Sequence, residues 1–156
     1  KRQTQQMVAD IRRLVYELRP PALAELGLLE ALRAHVAQMS NANGRLHISI
    51  EAAPEPLPAL PAAIEVAAYR IALEGVTQAR ECGVRFVVRE AAQPPHLTVT
   101  IFDDGLGLPS NFQSGVGLTS MRERAEELGG TCNITSNGRG GTRVTAVLPF
   151  AVSKNS

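Results

Sequence analysis

Apolar and polar positions alternate along the chain in patterns that divide it into segments. Met7, Val8, Ile11, Leu14, Val15 and Leu18 recur at steps of three and four, with Arg12, Arg13 and Arg19 between them, which predicts a helix over residues 1–19. Pro20-Pro21 stops it, because a proline disfavours helical geometry in the residue before it. Residues 22–27 read as a short connector. Residues 28 to about 40 read as a second helix, with Leu28, Leu29, Leu32, Val36 and Met39 on one face. Turn residues follow at 41–44. The period then drops to two over residues 45–51, where Leu46, Ile48 and Ile50 share one face of an expected strand. Residues 52–61 hold four prolines and read as a linker or edge loop.

Pro61 suits the first position of a long helix. Its apolar stripe runs through Ile64, Ala67, Ala68, Ile71, Gly75 and Val76 to about residue 82, and Gly83 is expected to end it. Gly75 should loosen this helix by about 1 kcal/mol relative to Ala. Arg70, Glu74 and Gln78 stand at four-residue steps and share another face. Residues 84–91 and 96–102 read as paired strands. A further helix over 117–128 buries Leu118, Met121, Ala125 and Leu128 and is capped by Gly129-Gly130. Two last strands, 131–136 and 142–148, flank a glycine-rich hairpin turn. Two adjacent hairpins among helices predict a mixed sheet covered on one face, an α/β two-layer sandwich.

Composition narrows this picture. A chain of 156 residues with 44% hydrophobic and 20% charged residues forms one packed domain, with room for an extra element. A net charge of +1 points to neither nucleic acid nor a membrane surface. Aromatic content of 4% with no Trp argues against stacking platforms for single-stranded nucleic acid. Cys82 and Cys132 lie too far apart for metal-ligand spacing and read as reduced thiols. The opening inside a helical pattern, without Met, is expected of a piece of a longer protein.

The candidate chemistry lies in one stretch. The β-branched run 97–102 leads into Asp103-Asp104-Gly105-Leu106-Gly107, and Gly115-Val116-Gly117 opens the next helix. A carboxylate can read a donor on a base, glycines let backbone approach a ligand, and a helix N-terminus offers free N–H groups to phosphate. No Gly-Lys-Ser/Thr follows, so this is not a P-loop. The acid precedes the glycines, so it is not a dinucleotide fingerprint either.

These motifs resemble the catalytic and ATP-binding domain of sensor histidine kinases, in the GHKL (HATPase_c) superfamily, and within it the nitrate-sensor-like subfamily. The resemblance is carried by Glu17-Leu18-Arg19-Pro20-Pro21-Ala22-Leu23 with Leu26-Gly27-Leu28, by Tyr69-Arg70-Ile71 with Glu74, and by Asp103-Asp104-Gly105-Leu106-Gly107. Gly115-Val116-Gly117-Leu118 running into Met121-Arg122-Glu123-Arg124-Ala125, Leu128-Gly129-Gly130 and Gly141-Thr142-Arg143-Val144 complete it. It implies a Bergerat-type sandwich over residues 21–150, preceded by the end of a dimerisation and phosphotransfer helix (1–20) and followed by a disordered tail (151–156).

The implied activity is protein-histidine kinase, transferring the γ-phosphate of Mg-ATP to a His on an upstream domain. Asp103 would accept the adenine amino group with help from Thr142. Gly105 and Gly107 would admit base and sugar. Gly115, Val116, Gly117 and Leu118 would bind phosphates, and residues 108–114 would form an ATP lid. Glu74 would be the catalytic acidic residue, although Arg70 and Glu74 read equally well as a surface ion pair. The implied partners are the phosphotransfer domain of the same or a sister chain, in a homodimeric parent, and a response regulator. The implied location is the cytoplasm, with any membrane anchor of the parent outside this stretch. His35, His47 and His96 lack the acceptor context, so the chain is not expected to phosphorylate itself.

One departure stands out. Where the family carries an Asn that holds Mg²⁺, this sequence has Gln78, one methylene longer, and Mg²⁺ tolerates little deviation from octahedral geometry. That departure motivates one alternative, a nucleotide-binding signalling module with impaired transfer. A GHKL serine kinase of the anti-sigma type is another, disfavoured by Arg19-Pro20-Pro21 and the helix before it.

Overall fold

The computed structural model describes residues 20–43, 47–76, 81–103, 116–136 and 141–151. The expected helix over 1–19, the lid, the 137–140 turn and the tail after residue 151 lie outside these residues. In chain order the elements are α1 (Pro21–Asn43), β1 (His47–Ala53), α2 (Ala62–Val76), β2 (Glu81–Arg89), β3 (His96–Asp103), α3 (Val116–Glu127), β4 (Thr131–Ser136) and β5 (Thr142–Pro149).

The strands form one sheet in the order β1-β2-β3-β5-β4. β1 and β2 are parallel, joined through α2 as a parallel pair requires. Both expected hairpins are present, β2 with β3 and β4 with β5, and the mixed sheet is closed at its centre by antiparallel β3 and β5. The three central strands, β2, β3 and β5, bury alternate residues. Val84, Phe86 and Val88, then Leu97, Val99 and Ile101, then Val144, Ala146 and Leu148 face the core under the helices. From the helix side Leu23, Leu32, Ala68, Ile71 and Val76 are fully buried against them. The two-layer sandwich follows from this single buried sheet face.

Three boundaries differ from the sequence reading. The connector at 22–27 is helical: Pro20 O accepts from Ala24 N–H at 3.1 Å, and α1 breaks only at Gly27, whose φ of 81° and ψ of 172° are open to glycine alone. Fully buried Leu23 explains why the turn forms there. α2 ends at Val76, and β2 begins at Glu81, so Gly83 is a strand residue and not a helix stop. The expected glycine cap does hold at α3: Gly130 N–H reaches Ala125 O at 2.8 Å and Gly129 N–H reaches Glu126 O at 2.9 Å, a Schellman pair with Gly129 at φ 78°.

Candidate functional site

β3, β5 and α2 meet at the C-terminal end of β3, and α3 packs against α2 and β5. Period two along β3 puts Asp103 on the same face as buried Ile101, the face that carries the helices. On β5 the same period puts Thr142 on the face of Val144. Asp103 and Thr142 are direct partners in the β3–β5 register, so a carboxylate and a hydroxyl stand side by side at the sheet's end. Both are partly exposed, and Gly141 just before Thr142 is buried.

α2 is drawn onto this end of β3. A Cβ on Gly75 would collide with Ile101 Cδ1 and lie 3.1 Å from Cγ2 and 3.2 Å from Cγ1. The glycine therefore lets the last turn of α2 close on the strand two residues before Asp103. It brings Glu74, half-buried, with it. α3 begins at Val116, and its own first turn carries no acidic residue, so that turn itself does nothing to offset the positive end of the helix dipole.

Between α1, α2 and α3 lies a cavity of about 250 Å³ lined by His35, Arg70, Leu73, Glu74, Ser120, Met121 and Arg124. Arg70, Glu74 and Arg124 are each partly buried, whereas Arg122, on the same helix as Arg124, is exposed. The structure thus unites Asp103 with Thr142, and Glu74 with the α3 face. Val116, Gly117 and Leu118 form the first turn of α3. Gly105, Gly107, Gly115 and Gln78 lie outside the described residues. Sequence reading gives Ser120 no role, takes His35 as a helix residue outside any acceptor context, and reads Arg124 as one charge on the outer face of its helix, with phosphate contact the other reading of that run. Ser120 and Arg124 stand four apart on one helix face, one turn on from Val116, and that spacing was the available signal.

Among the described residues no group of His, Cys, Asp and Glu could by itself hold a metal ion. A metal carried by nucleotide phosphates needs no such cage, because Mg²⁺ commonly takes one protein ligand together with substrate oxygens. Also among the described residues, no helix is long and apolar enough to cross a membrane.

Comparison with known proteins bears on this geometry directly. Residues 63–152, from α2 through β5, match the family described as histidine kinase-, DNA gyrase B-, and HSP90-like ATPase. The chain is 34% identical over 142 residues to the signal transduction histidine-protein kinase/phosphatase UhpB of Salmonella typhimurium, covering 89% of this chain but 28% of that protein. The fold resembles the histidine kinase domain of the Erythrobacter litoralis EL346 blue-light activated kinase, with a TM-score of 0.61 at 20% identity over 78% of this chain and 60% of that one. It also resembles the mycobacterial sensor histidine kinase MprB, with a TM-score of 0.51 at 16% identity over 77% of this chain and 93% of that one. With its α2-to-β5 frame matched over more than half its length, the chain belongs to the histidine kinase-, DNA gyrase B-, and HSP90-like ATPase family.

Proposed function

We propose that this chain is the ATP-binding catalytic domain of a sensor histidine kinase, and that Asp103 recognises adenine. The observation that carries the reading is the pairing of Asp103 with Thr142 at the end of β3, inside a frame that belongs to this ATPase family. A carboxylate beside a hydroxyl suits an exocyclic amino group, since the carboxylate accepts its N–H and the hydroxyl can accept or donate toward the ring. The phosphates lie along the N-terminal turn of α3, at Gly115, Val116, Gly117 and Leu118, where backbone N–H groups lack helical partners. Gly105 and Gly107 let backbone approach base and sugar.

Transfer breaks the bond from the γ-phosphorus to its bridging oxygen, whose electrons stay with ADP, and forms a bond from phosphorus to an acceptor imidazole nitrogen. The ring then sheds the proton on its other nitrogen. Glu74, on the turn of α2 that Gly75 holds against β3, helps that proton leave. Mg²⁺, when bound with the nucleotide, supplies charge neutralisation at the phosphates, and Gln78 is the side chain that would reach it. The acceptor histidine belongs to a phosphotransfer domain upstream in the same or a sister chain of a homodimeric kinase, whose catalytic part works in the cytoplasm and which serves a response regulator.

Calorimetric titration of ATP tests the reading. Asp103→Asn should weaken ATP binding about tenfold or more, the loss of a charge-assisted hydrogen bond. Unchanged affinity would overturn the adenine role.

A further inference from the structure

The cavity between α1, α2 and α3 has no part in holding a base. At about 250 Å³ it is smaller than the ~300–1,000 Å³ usual for a whole ligand, so it takes a fragment of one. Its polar groups come from separate elements: His35 from α1, Arg70 and Glu74 from α2, Ser120 and Arg124 from α3. The two guanidinium groups outweigh the one carboxylate. Buried Met121 and half-buried Leu73 line the same space and keep the local dielectric low, which strengthens the attraction of guanidinium for an anion. Guanidinium matches phosphate in a two-bond fork, more closely than it matches a simple halide.

The position of the cavity is as informative as its charge. Ser120 stands four positions after Val116, about 6 Å along α3 at the helical rise, so the cavity begins one turn beyond the helix end assigned to the phosphates. Glu74, assigned to proton movement at the acceptor, lines its wall.

We propose that this cavity is a phosphoryl subsite, with Arg124 and Arg70 as direct ligands of the group being transferred and Ser120 as a third donor. The proposal rests on the nucleotide reading above. The phosphoryl group has two possible sources, the terminal phosphate of ATP and the phosphohistidine product, and Arg124 grips the same oxygens in either. Arg122, equally charged and exposed on the same helix, is the built-in control.

The test titrates ATP, ADP and phosphoimidazole, the last into ADP-loaded protein, against wild type, Arg124→Gln, Arg124→Lys and Arg122→Gln. Loss of about tenfold or more in ATP affinity in Arg124→Gln, with ADP affinity kept, assigns the subsite to the nucleotide's terminal phosphate. An equal loss confined to phosphoimidazole assigns it to the phosphohistidine. In either case Arg124→Lys should recover part of the loss, because charge returns without the fork, and Arg122→Gln should match wild type. Retained ADP binding shows that the variant is folded. If Arg124→Gln binds all three probes as wild type does, or if Arg122→Gln loses as much, the proposal falls while the nucleotide reading stands. If wild type binds neither ATP nor ADP, the nucleotide reading falls and this proposal with it.

Discussion

Gly75 of α2 lies against Ile101 of β3 with no space for a Cβ between them. Helix propensity alone predicts that Gly75→Ala stabilises the protein by about 1 kcal/mol. The contact predicts the opposite sign. Overpacking a filled core costs roughly 1–3 kcal/mol, and Ile101 is 4% exposed, with little freedom to give way. Gly75→Ala should therefore lower stability in urea unfolding. Ile101→Val removes the methyl that collides, at a cost of about 0.5–1.5 kcal/mol by itself. Adding Gly75→Ala in that background should cost less than in wild type, or nothing. A Gly75→Ala protein more stable than wild type would show that the helix stands off the strand.

This contact also marks how far the sequence could be read. The hairpins, the sheet's single buried face and the capped α3 are local: period two, period 3.6 and the Gly129-Gly130 pair are visible along a stretch of chain. The pairing of β5 with β3 is not local. Nothing near Asp103 or Thr142 in sequence says that the two stand opposite each other, and only family resemblance joined them before the register did. Gly75 looked like a helix defect and Gly83 like a helix stop, because a glycine carries no mark of what fills its missing side chain. Arg124 looked like one more charge on an outer face, because its burial depends on α1 and α2, which are distant in sequence.

Glu74 should separate binding from transfer. It lines the cavity beside α3, whereas Asp103 stands at the end of β3. Glu74→Gln keeps the shape and hydrogen-bonding reach and removes the proton acceptor. Transfer to a supplied phosphotransfer domain should fall about 10²–10⁴-fold, the usual range for loss of acid–base assistance, with ATP affinity within a few-fold of wild type. Radiolabel transfer and calorimetry on the same protein check this. Undiminished transfer would leave Glu74 as a surface ion-pairing residue.

Gly83 and Phe102 form a second interlocked pair, on the sheet face away from the core. They are partners in the β2–β3 register, and a Cβ on Gly83 would strike the edge of the Phe102 ring and lie 3.0 Å from Ser49 Oγ. The ring covers the strand where glycine leaves it bare. Gly83→Ala should destabilise by roughly 1–3 kcal/mol, despite removing a residue that weakens strands. In a Phe102→Ala background the same substitution should be neutral or stabilising, since the ring is gone, the Ser49 hydroxyl has only to give by a few tenths of an ångström, and alanine limits the unfolded chain. A double-mutant cycle by urea unfolding reads this reversal, and additive effects would refute it. Phe102 is also the neighbour of Asp103, so ATP affinity should weaken in Gly83→Ala as the ring is displaced.

Cys132 should impose a limit on stability in alkali. Burial pushes its thiol up from the ordinary value of 9.0, and the nearby charge of Arg122 pulls the other way more weakly. The side chain is 5% exposed on β4, against the α3 side of the core. In the unfolded chain the thiol ionises near that ordinary value, while the folded protein still holds the proton. Above that pH the unfolded state binds fewer protons than the folded state, so stability falls as pH rises. The contribution is complete below the unfolded pKa and is lost progressively up to the folded one. Cys132→Ala removes the titrating group and should flatten this slope between pH 8 and 10, although it lowers stability at pH 7 by leaving a small cavity. Urea unfolding of both proteins across that range decides the matter, because the two differ only at this side chain. An identical slope in the two proteins would mean that the thiol reaches solvent in the native state.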